Sequence, residues 1–125
     1  MTEFTYIHIP AKVKPYVRMT QAGKYVDPQA KQYLQSKQDL QWLMKAEAAK
    51  NDITLLGKVP LQVHITFFVT TRLHGCDLDN QVKAILDAGN GILWSDDRYI
   101  DFISARRAIS AEHNIVIGLG AEDLE

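Results

Sequence analysis

The chain has 125 residues, 46% of them hydrophobic and 23% charged, with a formal net charge of −1. That length suits one domain with a real core, and the balance of apolar and charged residues is globular rather than disordered. No run reaches the roughly eighteen apolar residues of a membrane span, and MTEFTYIHIP lacks the basic opening and apolar stretch of a signal peptide.

In chain order, TEFTYIHIP reads as a strand rich in aromatic and β-branched residues, ended by Pro10. The following AKVKPYVRMTQAGKYV has no helical periodicity; it carries Lys12, Lys14, Arg18 and Lys24 and no acid. Structureless loops of this length are usually functional or mobile. VDPQAKQY starts a helix, with Asp27 placed to cap and Pro28 at the first helical position, and the helix continues to about Lys50. Tyr33, Leu40, Leu43 and Met44 give it an apolar stripe for core packing.

After Gly57 and Pro60, PLQVHITFFVT alternates strictly, with Leu61, Val63, Ile65, Phe67 and Val69 on one face. His64 falls on the other face, which suits a surface histidine better than a ligand. Gly75 permits a turn. Leu78, Val82, Ile85 and Leu86 then mark the apolar face of a short helix, stopped by Gly89 and Asn90–Gly91. RYIDFISARRAI and HNIVIGL read as closing strands. The order β-α-β-α-β-β over residues 1–125 predicts a small single-domain α+β fold, a mixed sheet with two helices packed on it.

Charge divides along the chain. Residues 1–72 hold ten Lys or Arg against five acids, and residues 73–125 hold four against ten. Such a division can offer a basic face to a polyanion and an acidic pocket to a metal, although three-dimensional mixing would also produce an ordinary surface. The lone Cys76 excludes an internal disulfide, and with no CxxC pair there is no zinc motif. Beside Asp77 it reads as an inert thiol, and a reducing, cytoplasmic setting is the simplest interpretation.

The most informative stretch is CDLDNQVKAILDAGNGILWSDD, which holds Asp77, Asp79, Asp87, Asp96 and Asp97 with Lys83 as the lone cation among them. Asp79, Lys83 and Asp87 are spaced i, i+4, i+8 and share a helix face. Asp77 sits just before the helix. A helix over 79–88 is about 15 Å long, and an extended run from Gly91 to Asp97 covers about 20 Å, enough to bring Asp97 back to the helix start. Two carboxylates 4 Å apart repel by about 4 kcal/mol at an effective dielectric near 20, so a gathered set requires a cation or protons. Oxygen-rich clusters of this kind suit Mg²⁺ or Mn²⁺.

The alternative is that Asp77 only caps, Asp79 and Lys83 form an exposed pair, and Asp96–Asp97 make a turn. An EF-hand loop counted from Asp77 fails at Val82 and Ala88, and an aspartate phosphatase motif fails at Gln81. No phosphate-binding glycine loop occurs, so no nucleotide cofactor is expected.

This block closely resembles the signature of the RusA family of Holliday junction resolvases: Asp-x-Asp-Asn, a Lys three residues on, Leu-Asp-Ala, Asn-Gly, then Asp-Asp after a short apolar run. The resemblance implies that Asp77, Asp79 and Asp97 are the essential metal-binding acids, that Lys83 is the catalytic lysine, and that Asp96 is a supporting acid, with Asn80 and Asp87 beside them. It implies a Mg²⁺-dependent endodeoxyribonuclease, with Mn²⁺ as substitute, that resolves four-way DNA junctions by paired nicks leaving 5′-phosphate ends. It also implies a homodimer, with Lys12, Lys14, Arg18 and Lys24 on the DNA backbone. Gly89 departs from the pattern, standing where relatives commonly have Leu, as does Cys76, where many have Pro or a basic residue. Competing expectations are a nuclease for another branched DNA such as a flap, a junction-binding protein without catalysis, and a protein with a purely structural cation site.

Overall fold

The computed structural model describes residues 4–12, 28–50, 58–71 and 77–122. Along the chain these form β1 (Thr5–Ile9), α1 (Pro28–Lys50), β2 (Leu61–Val69), α2 (Leu78–Gly89), a one-turn 3-10 helix (Asp97–Tyr99), β3 (Ile100–Ile109) and β4 (Asn114–Ala121). The element order is therefore the one expected, and the fold is α+β. Asp27, Gly75, Cys76 and most of the basic loop lie outside the described residues.

The sheet runs β1-β4-β2-β3. β2 and β3 are parallel neighbours, joined over α2, while β4 runs antiparallel to β2 on one side and to β1 on the other. One extra residue, Asp101, enters β3 where Leu61 pairs with Ile100 and Gln62 with Phe102. Such a bulge bends the strand locally.

The period-2 pattern explains which side is covered. Leu61, Val63, Ile65, Phe67 and Val69 are all buried, and the partners on their face, Ile7, Ile9, Ile115, Ile117 and Leu119, are buried with them. Tyr33, Leu40 and Met44 of α1 and Ala84, Ile85 and Ala88 of α2 complete that core. Both helices thus lie on one face of the sheet. Each fully buried large aliphatic or aromatic side chain contributes about 1.5–3 kcal/mol, so this face drives folding. His64 is on the opposite face, where its ring nitrogens meet Ser104 Oγ and Gln62 Oε1.

The segment after α2 differs from the extended run that the sequence suggests. Gly91 takes φ 78°, its N–H donates to the Trp94 carbonyl at 2.7 Å, and the N–H groups of Ile92 and Leu93 both donate to the Gly89 carbonyl. Residues 89–94 therefore fold into a compact turn. The cause is burial: Leu93 and Trp94 are both fully buried, which draws the chain inward instead of letting it run along the helix. No described helix is long and apolar enough to cross a membrane.

Candidate functional site

The start of α2 presents the first group of acids. Asp77 is the N-cap residue, with extended backbone (φ −79°, ψ 150°), and its carboxylate makes no capping hydrogen bond. Its carbonyl accepts from Gln81 N–H at 3.3 Å. The capping alternative therefore leaves the Asp77 side chain unexplained. Asp79 occupies the first turn and is exposed, and Lys83, one turn later, is exposed as well. Neither is held in an ion pair among the described residues, so the exposed-pair alternative does not account for them. Asn80 lies half-buried between them.

Asp97 is the remaining acid of the block, and it follows the turn that closes α2. It opens the 3-10 turn, and the groups acting on it are Asp96, Asn90 and Asp87. Burial, followed by the hydrogen bond and negative charge of Asp96, holds the Asp97 carboxyl above the usual carboxylate range; the Asn90 amide works against this shift, and Asp87 adds to it. Asp96 goes the other way. The Arg98 backbone N–H donates to its Oδ1 at 3.0 Å and holds it below its ordinary value. The two neighbouring carboxyls are thus shifted in opposite directions.

Asn90 is a positioning residue that sequence reading treats only as a helix stop. Its Oδ1 accepts from Trp94 Nε1 at 3.0 Å, and its side chain also hydrogen-bonds Asp97. The buried indole, which also donates to the Leu86 carbonyl at 3.3 Å, therefore fixes the amide that orients Asp97. Asp87 has a structural task as well: its Oδ2 accepts from Tyr33 Oη at 2.7 Å and pairs with Lys37 Nζ at 3.1 Å.

A cation also stands near the helix start. Arg107 of β3 donates from Nε to Oε1 of Gln81, 2.8 Å away, and Gln81 is buried at 4% exposure. The sequence offers only a weak signal for this, an Arg-Arg doublet in an otherwise acidic half. Of the basic-loop residues, Lys12 is described and exposed, whereas Lys14, Arg18 and Lys24 lie outside the described residues.

Among the described residues no three His, Cys, Asp or Glu side chains converge on a point that a metal ion could take. The donor chemistry still suits a hard divalent cation, because the acids of this block offer carboxylate oxygens. Fold and side chains together define a small α+β domain whose polar chemistry lies on one acidic helix and the acidic turn behind it. The chain matches the family model of endodeoxyribonuclease RusA over residues 8–119, nearly its whole length, and no curated protein matches it. It belongs to that family, whose members are endodeoxyribonucleases acting on Holliday junctions.

Proposed function

We propose that this chain is a metal-dependent endodeoxyribonuclease that resolves four-way DNA junctions by paired symmetric nicks, in recombination and repair. The family match over residues 8–119, which takes in the whole block from Asp77 to Asp97, carries the reading. Asp77, Asp79 and Asp97 would hold Mg²⁺, with Mn²⁺ as substitute, through their carboxylate oxygens. The ion, when bound, would supply an activated water and a polarised scissile phosphate.

The chain's own groups do the rest. Lys83, one helical turn beyond Asp79, stabilises charge developing on the phosphoryl oxygens or on the leaving group. Asn90 orients Asp97, and Asp96 and Asn80 flank the ligand acids. Lys12, Lys14, Arg18 and Lys24 neutralise backbone phosphates, so that binding falls steeply with salt. A two-fold dimer presents one such site to each of two symmetric strands, and the products carry 5′-phosphate and 3′-hydroxyl ends.

The test is a nicking assay on a synthetic four-way junction with Mg²⁺, beside linear duplex and a flap, comparing wild type with Asp79→Asn. Symmetric paired cuts on the junction, absent in the variant, are expected. Preferred cutting of the flap would move the substrate to another branched DNA. Tight junction binding without cleavage, even with Mn²⁺, would leave a binding protein instead.

A further inference from the structure

β2, α2 and β3 make one parallel strand–helix–strand unit, and register assigns the residues of β3 to the two faces of the sheet. Ile103, Ala105, Arg107 and Ile109 pair with Val63, Ile65, Phe67 and Val69, so they stand on the face that the helices cover. Among the described strands, Arg107 is the one charged residue that register places on that face. It is half-buried, and its Nε donates to Oε1 of Gln81 at 2.8 Å. Gln81 is in turn the one buried polar side chain among the described residues. A cation on the core side of the sheet and a buried amide therefore meet each other.

Stability does not require the pair. Replacing both partners of a buried hydrogen bond by apolar groups of the same shape is close to neutral, so two aliphatic side chains would serve packing as well. What the pair achieves is orientation. A guanidinium carries five N–H donors in a rigid fork, and a bond from Nε fixes the plane of that fork. The Gln81 amide is neutral, so this bond aims the group without cancelling its charge. The place matters too. Gln81 N–H donates to the Asp77 carbonyl, which sets Asp77 one helical turn before Gln81 on the same side of α2. The fork is thus anchored at the end of α2 that carries Asp77 and Asp79, near the carboxyl end of β3.

We propose that Arg107 binds a backbone phosphate of the DNA at this end of α2, and that Gln81 is the residue that positions it. Planar, two-pronged donation is how arginine recognises phosphate. The inference rests on the junction-resolving reading for the DNA itself. It adds a substrate contact that lies in neither the acidic block nor the basic loop.

The experiment is a salt titration of four-way junction binding by the full chain with chelator present, where no cutting intervenes. Arg107→Gln is the diagnostic variant, because its amide N–H stands where the arginine Nε–H stood and keeps the bond to Gln81 while the charge is lost. Each phosphate neutralised contributes about 0.9 to the slope of log K against log salt. The variant is expected to keep its circular dichroism spectrum, to bind roughly tenfold or more weakly, and to lose about 0.9 from that slope. An arginine with a merely structural role would leave the slope unchanged. Arg106→Gln removes the same charge one residue away on the opposite face, and is expected to retain the wild-type slope. Gln81→Met should weaken binding several-fold in wild type and add nothing in Arg107→Gln. Should Arg107→Gln lose its fold, Arg107→Met is measured in its place with the same expectations. An unchanged slope in a folded variant, an equal loss in Arg106→Gln, or additive effects of Gln81→Met overturns the inference. A wild type that binds the junction but never cuts it, with the expected loss of slope in Arg107→Gln, supports this contact and sinks the nuclease reading alone. A wild type without affinity for any DNA overturns both.

Discussion

The Tyr33 hydroxyl donates to Asp87 Oδ2 at 2.7 Å, tying α1 to α2 across 54 positions of sequence. Lys37 closes on the same oxygen from one turn further along α1. Asp87→Ala should therefore destabilise the fold by about 1.5–3 kcal/mol, and Tyr33→Phe by about 1 kcal/mol, in urea unfolding. Cleavage per folded molecule should stay within a few-fold of wild type. An Asp87→Asn protein of normal stability that has lost metal-dependent cleavage would make Asp87 part of the ion site rather than of the helix seam.

Gly89 and Trp94 form a second such pair. A Cβ on Gly89 would stand 2.4 Å from Trp94 Cζ2, and the indole is fully buried and cannot yield cheaply. Alanine would gain about 1 kcal/mol in helix propensity. Overpacking in a closed site costs about 1–3 kcal/mol and should win. Gly89→Ala is expected to lower the melting temperature by several degrees, and Trp94→Phe in the same chain should recover part of the loss. Additive effects of the two changes would mean that the side chains do not meet.

Asp97 makes stability depend on pH in a definite direction. Its carboxyl is held above the ordinary range, so the fold favours the protonated form. That contribution is complete below the usual carboxylate pKa and is lost as pH rises through the raised value. Asp96, held below its ordinary value, has the opposite sign: its contribution is present at neutral pH and is lost in acid. In the presence of chelator, Asp97→Asn should melt about 1–3 °C above wild type near neutral pH, and the difference should close toward about pH 4. Adding Mg²⁺ should raise the melting temperature of wild type alone. Equal response of both proteins to Mg²⁺ would remove Asp97 from the ligand set.

Lys83 is exposed and unpaired among the described residues, so its removal should barely affect stability. Lys83→Met is expected to lower single-turnover cleavage by about 10²–10³-fold, with junction affinity changed only a few-fold. Arginine should restore less than a tenth of the loss, because its planar fork does not reproduce a compact point charge. A Lys83→Met protein whose defect lies wholly in binding would place the residue with the backbone-contacting cations.

Helices and strands were legible because their signals are local. Strict alternation from Leu61 to Val69 marks a half-buried strand whatever surrounds it, and the Leu78, Val82, Ile85 spacing marks a helix face. The acidic block, too, was legible as a motif, since its residue types and intervals lie within one short segment.

Where those acids stand in space was decided by tertiary packing. Reach alone allowed Asp97 to return along α2 to Asp79, but chain length is only an upper bound. Burial of Leu93 and Trp94 folded the connection into a turn, and Asn90 and Asp87 are among the groups that act on Asp97. The same packing gave Asp87 its bond to Tyr33 and brought Arg107 to Gln81, contacts between residues 54 and 26 positions apart. Local periodicity and residue chemistry determine which elements form and which reagents the chain carries. Only the competition for buried volume determines which of those reagents meet.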